Sequence, residues 1–484
     1  MAASFFFYDL ETSGIDPRKS RIMQFAGQRT DMNLKPIGEP VNQFITLTPD
    51  ILPDLEAILL TGITPQQSIM EGITEASFLK QFYDEVVQPD TVFLGFNSIR
   101  FDDEFMRFLH WRNFYDAYEW QWQNSCSRWD LLDVVRMTRA LRPDGIKWPY
   151  ASNGKPSNRL ELLTSINKLT HNNAHDALGD VYATIEVAKL IQSNQPELFK
   201  YLLSVRGKKA VAKLVDAGQP FVYTSGHFSS DYLHTSPVVK LCDHPQNDAA
   251  LVYDLRFNPT EFLDMNTSEL VETWRYTKDP DAKRLPVKTM KYNRCPAVAP
   301  LGVINNSQTE GQLQVSLSEV KDNLQILKKH QNTFSDAILL AVEQLDEERE
   351  LTQSALLDNP LYVDEKLYDG FVSSNDKNLM RDVRNSQTDQ FYEIGGNFVD
   401  QRLQNLLPLY KARNFPKTLD PEERTNWDTF CKQKLLAGGS SSRAAQYFNN
   451  IQEKLVETPD KKKQYILEEL RLYGESILPV DVAD

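Results

Sequence analysis

Asp9 and Glu11 stand two residues apart in the stretch Phe5-Phe6-Phe7-Tyr8-Asp9-Leu10-Glu11-Thr12. Four consecutive aromatic residues read as a buried central strand, and on a strand of period two the carboxylates of Asp9 and Glu11 face the same side. Two carboxylates held side by side repel, and a divalent cation with a preference for oxygen ligands neutralises them. Taken alone, the tripeptide fits a turn start and a solvated strand end equally well. Three further groups add to it. Asp102 lies in Asn97 to Glu104, just after the apolar run Val92-Phe93-Leu94-Gly95-Phe96, and ligand groups of α/β sheets gather at the carboxyl ends of strands. Asp180 falls among core-facing positions of a helix that opens after Asn172-Asn173 and runs through Val181, Ile185, Ala188 and Ile191, where an uncompensated carboxylate is costly. His175 precedes it by five residues. Asp103 and Glu104 read as first-turn acids favoured by the helix dipole.

Four carboxylates and one imidazole, without cysteine, suit Mg²⁺, with Mn²⁺ able to substitute, rather than zinc. Two such ions about 4 Å apart can activate a water on one side of a phosphodiester and stabilise the leaving oxygen on the other. Asp9 is expected to bridge both ions, Glu11 and Asp180 to complete the shell of the first, and Asp102 to act on the second, partly through water. A neutral His175 is the expected acceptor of the water's proton.

The elements that must position these groups alternate between strand and helix up to about residue 195. Ile22 to Arg29 and Gln43 to Thr48 read as strands, Gly62 as a helix stop before a turn at Pro65, and Glu75 to Val87 as a helix leading into the strand Val92 to Phe96. From about 196 to 350, short β-rich pieces at Phe221 to Thr224, Leu251 to Tyr253 and Val287 to Lys291 give way to helices. One of these carries Leu317, Val320, Leu324 and Leu327, and the acidic run Glu343 to Glu350 reads as a solvated helix face. Beyond 350 the pattern is helical, with Gly438 to Ser442 as a loop.

The 484 residues, 41% hydrophobic and 25% charged, fit about three globular units. Cys126, Cys242, Cys295 and Cys431 are too scattered for a disulfide framework or a zinc site, which suits a reducing cytoplasm. No run approaches membrane-spanning length, so no membrane partner is expected. A net charge of −14 disfavours a nucleic-acid partner only on average, because clustering decides. Lys278, Lys283, Arg284, Lys288, Lys291 and Arg294 form a basic stripe against only Asp279 and Asp281, although a solvated strand face would look the same. Between Arg107 and Arg159, the rings of Tyr115, Tyr118, Trp120, Trp122 and Trp129 alternate with arginines. Bases stack on rings and phosphates pair with guanidinium groups, an arrangement useful only when the bases are unpaired. Trp129 is assigned to the core.

In order and spacing, Asp9-x-Glu11, Asp102, and His175 with Asp180 resemble the DnaQ-like DEDD exonuclease superfamily in its His-containing branch, over residues 4 to 195. Asn97 to Glu104, Arg112 to Asp116, Ser127 to Asp133, Ala140 to Pro143, Asn173 to Ala177, Pro286 to Lys288, Cys295-Pro296 and Ala412 to Pro416 resemble the bacterial exonuclease I family, over nearly the full length. That resemblance implies an α/β RNase H-like exonuclease domain (1–195), an SH3-like α+β domain (196–350) and an all-α C-terminal domain (351–484), closing together around single-stranded DNA. It implies processive 3′-to-5′ hydrolysis to 5′-mononucleotides in DNA repair, mismatch repair and recombination. Arg107, Tyr118, Trp122, Arg136 and Arg159 are its implied DNA contacts, with Arg159 near the scissile end. Arg142, Tyr201 and Lys328 match a pocket for the acidic C-terminal tail of single-stranded DNA-binding protein, from whose pattern Lys321 and Pro300 depart. A monomer is expected. Two rival readings are a nuclease of the same fold that prefers RNA or proofreads, which would not need the two added domains, and a silent binding scaffold. A scaffold would have lost a carboxylate, and none is missing.

Overall fold

The structure, a computed structural model, describes residues 3–170, 176–246, 248–275, 277–279, 282–354 and 359–478. Its first unit is built on β1 (Ser4–Thr12), β2 (Ile22–Thr30), β3 (Val41–Phe44), β4 (Thr91–Gly95) and β5 (Ser127–Asp130), in the sheet order β3-β2-β1-β4-β5. β1 runs antiparallel to β2 and parallel to β4, and β4 is parallel to β5. The helices are α1 (Leu55–Thr61), α2 (Pro65–Glu71), α3 (Glu75–Gln81), α4 (Asp102–Arg112), α5 (Leu131–Leu141), α6 (Leu160–Asn167) and α7 (Ala177–Asn194).

The aromatic run of β1 exists because this strand is buried on both faces. Phe5 and Phe7 join Trp129, Val134 and Ile185 in one layer, while Phe6 and Tyr8 join Phe25, Phe78, Phe82 and Trp120 in the other. Gly62 stops α1 in the left-handed region at φ 75°, and Pro65 opens α2. The expected helix over 75–87 is α3 continued by a π-helical turn, Phe82–Val86. The strand expected at 43–48 lies earlier, at Val41–Phe44, because Ile45 and Thr46 turn their amides to the carbonyls of Met23 and Ile73.

The second unit holds β6 (Phe221–Thr224), β7 (Thr235–Asp243), β8 (Ala249–Asp254), β9 (Val287–Lys291) and β10 (Ala297–Pro300) in an antiparallel sheet ordered β10-β6-β7-β8-β9. The 38-residue helix Leu317–Ser354 packs across it, with Phe334 edge-on to Tyr253 and Asn323 bonded to the carbonyl of Leu255. The acidic run 343–350 is not wholly solvated, since Asp346 is buried near His244 and Glu348 pairs with Arg275.

The last unit is helical, and it docks on the nuclease unit. Phe108, Trp111 and Phe114 pack with Leu403, Leu406 and Tyr410, and Met23 and Ile58 pack with Ile451 and Leu470. Between these apolar patches lies a buried ion cluster. Asp50 accepts from Arg413 at 2.8 Å and Lys434 at 2.7 Å, Asp364 accepts from Arg21 at 2.7 Å and Arg413 at 2.8 Å, and Glu75 accepts from Arg112 at 2.8 Å. Gly438 to Ser442 is a short 3₁₀ turn whose Ser442 caps the helix Arg443–Glu457. Among the described residues, no helix is long and apolar enough to cross a membrane.

Candidate active site

β1 delivers Asp9 and Glu11 to one face of the sheet, and α7 delivers Asp180 against them, so that one oxygen from each lies within 4.8 Å of the others. The start of α7 is fixed by Gln24, which sits opposite Glu11 in the β1–β2 register and donates to Asp176 at 3.4 Å. Asp176 thereby becomes a further carboxylate beside the site, one that sequence reasoning passed over although it follows His175 directly. His175 itself lies outside the described residues.

Asp102, buried at 4% exposure, opens α4 after a tightly built turn. Gly95 ends β4 where a Cβ would stand 2.7 Å from the carbonyl oxygen of Tyr8, so no larger residue allows the turn to cross β1 this closely. Asn97 takes the left-handed conformation at φ 69°. The buried carboxylate of Asp130 accepts the amides of Asn97 at 3.0 Å and Ile99 at 3.2 Å while capping α5 through the amide of Leu132 at 2.9 Å. Asp103 and Glu104 do more than favour the helix dipole. Asp103 accepts from the hydroxyl of Tyr8 and from Arg128, and Glu104 from Arg107 and Arg294.

Burial, and then the charges of Asp180 and Asp176, hold the Asp9 carboxyl well above its ordinary range. Burial, followed by Asp9, Asp180 and Asp176, pushes Glu11 up to about 9. Burial and the charge of Asp9 raise Asp102 likewise. The neighbours that act most on Asp9 and Glu11 are thus carboxylates. Oxygen donors crowded together in a poorly solvated place fit a hard divalent cation, which would draw off the bound protons and cancel the repulsion.

The residues implied as DNA contacts occupy varied surroundings. Tyr118 and Trp122 are exposed at 40% and 62%, whereas Trp120, which is not among the implied DNA contacts, is 1% exposed and belongs to the core. Tyr115 stacks on Tyr83 and under Arg384. Trp129 is buried, as expected. Arg107 lies beneath the ring of Tyr118, paired with Glu104. Arg136 pairs with Asp133, and its guanidinium meets that of Arg100 over Gly226. Arg159 is exposed beside Glu161. Of the partner-pocket residues, Arg142 bonds to the carbonyls of Leu141 and Val303, the Tyr201 hydroxyl is buried without a hydrogen bond, and Lys328 is exposed.

A groove joins these parts. A cavity of about 450 Å³ walled by Arg100, Glu104, Arg107, Tyr118, Lys291, Arg294 and Tyr368 shares Arg100, Lys291 and Arg294 with a second of about 400 Å³. The second shares His227, Thr289 and Arg349 with a third of about 840 Å³, which adds Arg275, Arg284 and Lys288. Eight lysines and arginines line the three against four carboxylates, so the groove is basic on an acidic protein. Sequence reasoning noted the stripe 278–294 but could not tell it from a solvated strand. It missed Arg275, three residues before the stripe, and Arg100 and Arg349, which lie far from it in the chain and carried no local signal.

An RNase H-like sheet carrying a carboxylate cluster, in a protein that also carries a basic groove, defines a nuclease. The family model described as Exonuclease matches residues 6–188, the exonuclease I SH3-like domain 206–340, and the exonuclease I C-terminal domain 361–477. Exodeoxyribonuclease I of Haemophilus influenzae is 39% identical, with 98% of this chain and 99% of the relative covered. Among solved structures, exonuclease I from Methylocaldum szegediense is 40% identical, with 99% of this chain and 100% of that chain covered and a TM-score of 0.89. Escherichia coli exonuclease I in complex with a dA16 oligonucleotide is 36% identical, with 98% and 100% covered and a TM-score of 0.90. The E. coli enzyme has also been solved in a zinc-bound complex with single-stranded DNA, and an SSB/exonuclease I structure with an inhibitor is likewise similar, at TM-scores of 0.90 and 0.87, each 36% identical and covering 99% of this chain and 100% of that one. The chain belongs to the exonuclease I family.

Proposed function

We propose that this chain is a single-strand-specific 3′-to-5′ exodeoxyribonuclease that releases 5′-mononucleotides processively, in DNA repair, mismatch repair and recombination. The observation that carries the reading is the cluster of Asp9, Glu11 and Asp180, in a protein whose basic groove begins at Arg100, Glu104 and Arg107, close to Asp102 in the chain. Asp9, Glu11, Asp180 and Asp102 would hold two Mg²⁺ ions, with Mn²⁺ as a substitute, and His175 would take up the proton of the attacking water. When bound, the ions supply a water nucleophile at neutral pH and charge stabilisation at the leaving oxygen. The chain's own work is to hold the strand. Arg107, Arg136 and Arg159 pair with phosphates, Tyr118 and Trp122 offer rings to unpaired bases, and the groove carries the strand onward over the second unit.

The division into 1–195, 196–350 and 351–484 is supported by the two sheets and the helical remainder. Arg142, Tyr201 and Lys328 are proposed to take the acidic tail of single-stranded DNA-binding protein, a reading supported by the SSB/exonuclease I structure to which this chain is similar and by a buried tyrosine hydroxyl without a protein partner. The protein is read as a cytoplasmic monomer.

Hydrolysis of end-labelled single-stranded DNA, beside RNA and duplex DNA, tests the reading. Mononucleotide should appear at once from 3′-labelled single-stranded DNA alone, and both EDTA and Asp9→Ala should reduce the rate by roughly a thousandfold or more. Equal degradation of RNA, or binding without cleavage, would overturn it.

A further inference from the structure

Glu104 stands two residues beyond Asp102 in the first turn of α4, and it meets all three units. Its Oε1 accepts from Arg107 of the nuclease unit at 2.6 Å and from Arg294 of the second unit at 2.7 Å. Its Oε2 accepts from the hydroxyl of Tyr368, in the helical unit. The side chain is only 12% exposed. A first-turn acid needs no such partners to favour the helix dipole. Three donors on a carboxylate this poorly solvated make its position costly to change.

The neighbouring residue is gripped from the same directions. Asp103 accepts from Tyr8, the residue beside Asp9, and from Arg128. Arg128 in turn donates to the carbonyl of Asn293 at 2.7 Å, so residues 293 and 294 of the second unit hold the first turn of α4 at two points. Asp102 is the third acid of that turn; it is buried at 4% exposure, and the charge of Asp9 acts on its carboxyl. A metal ligand must be held within about 0.5 Å of its working position, so whatever fixes this turn fixes the ligand.

We propose that Glu104 is a positioning residue, which sets the Asp102 carboxylate for cation binding only while Arg294 and Tyr368 are both docked on it. The inference rests on the reading of Asp102 as a metal carboxylate. By this geometry the second and third units act on the chemistry itself as well as on the strand: undocking either loosens the turn and weakens the metal site, so hydrolysis runs only in the assembled molecule.

The test is direct Mn²⁺ binding to the full-length protein without DNA, followed by electron paramagnetic resonance of the free ion and by calorimetry. Glu104→Gln should bind Mn²⁺ about tenfold more weakly, the loss typical of a partner that orients a ligand. Tyr368→Phe, which removes one hydroxyl from another unit, should show a smaller loss in the same direction, and its unfolding temperature controls for folding. With saturating single-stranded DNA, both should lower kcat at a given Mg²⁺ concentration and recover as Mg²⁺ is raised. Asp102→Asn is measured alongside. If Asp102→Asn weakens Mn²⁺ binding while Glu104→Gln and Tyr368→Phe bind as wild type and change only KM for DNA, Glu104 is merely part of the groove wall and the inference fails. If Asp102→Asn also binds as wild type, the reading of Asp102 fails and the inference falls with it.

Discussion

Two sets of poorly solvated acids in this molecule behave oppositely. At the active site, Asp9 and Glu11 feel the charges of Asp180 and Asp176, Asp102 feels that of Asp9, and the carboxyls of Asp9, Glu11 and Asp102 are pushed up. At the joint with the helical unit, burial alone would raise Asp50, Asp364 and Glu75 as well. Arg413, Lys434 and Arg21 instead hold Asp50 and Asp364 below the ordinary range, and Arg112 does so for Glu75. Residue type is the same in the two places and desolvation pushes both upward, so the partner decides. Buried acids already matched by guanidinium and ammonium groups are architecture. Acids matched mainly by other acids are left to be matched from outside.

Breaking the matched set should cost the most. Arg413→Met leaves buried charge on Asp50 and Asp364 and should destabilise the protein by about 3–5 kcal/mol, measured by denaturant unfolding, without altering Mn²⁺ binding. If it does alter Mn²⁺ binding, the two sets are not independent. A smaller effect of opposite sign is expected at the unmatched set: in EDTA, Asp9→Asn should relieve repulsion and stabilise by about 1 kcal/mol while abolishing hydrolysis. The gentlest probe is pH.

Glu11 holds its proton more tightly folded than unfolded, so its contribution is full below 4.5 and is lost as pH rises through about 9. Asp50, Asp364 and Glu75 bind protons less tightly when folded, so theirs is present above the ordinary carboxylate range and fades as pH falls through their lowered values. Thermal unfolding in EDTA should therefore show greatest stability in mildly acidic buffer, and Mg²⁺ should shift the maximum upward. A maximum at the same pH with and without Mg²⁺ would mean that the active-site acids are not the ones that titrate.

Most of the active-site set was legible in the sequence because its members keep local signatures: two acids on an aromatic strand, one after an apolar strand, and one inside an apolar helix. The matched set was not. Asp50 and Lys434 are 384 residues apart, and a lone acid before a helix says nothing of a distant lysine. The same limit explains the groove, which only folding assembles, and Trp120, whose place among arginines looked like a stacking surface until the second aromatic layer closed over it. Local periodicity sufficed for the central strand, the caps and the helices; the way the units dock is written in long-range pairs.

Those long-range pairs also set a clock. Arg413 lies 363 residues beyond Asp50, and at roughly 5–20 residues per second a ribosome needs about 20–70 s to deliver it. For that interval the nascent nuclease half holds Asp50 without Arg413 and Lys434, Arg21, 3.9 Å away, being the nearby cation already made, while Glu75 has Arg112. The last-made helices are thus what completes the first-made unit, and a chain cut short before residue 413 would leave the ribosome with its active-site strand in place and its foundation unfinished.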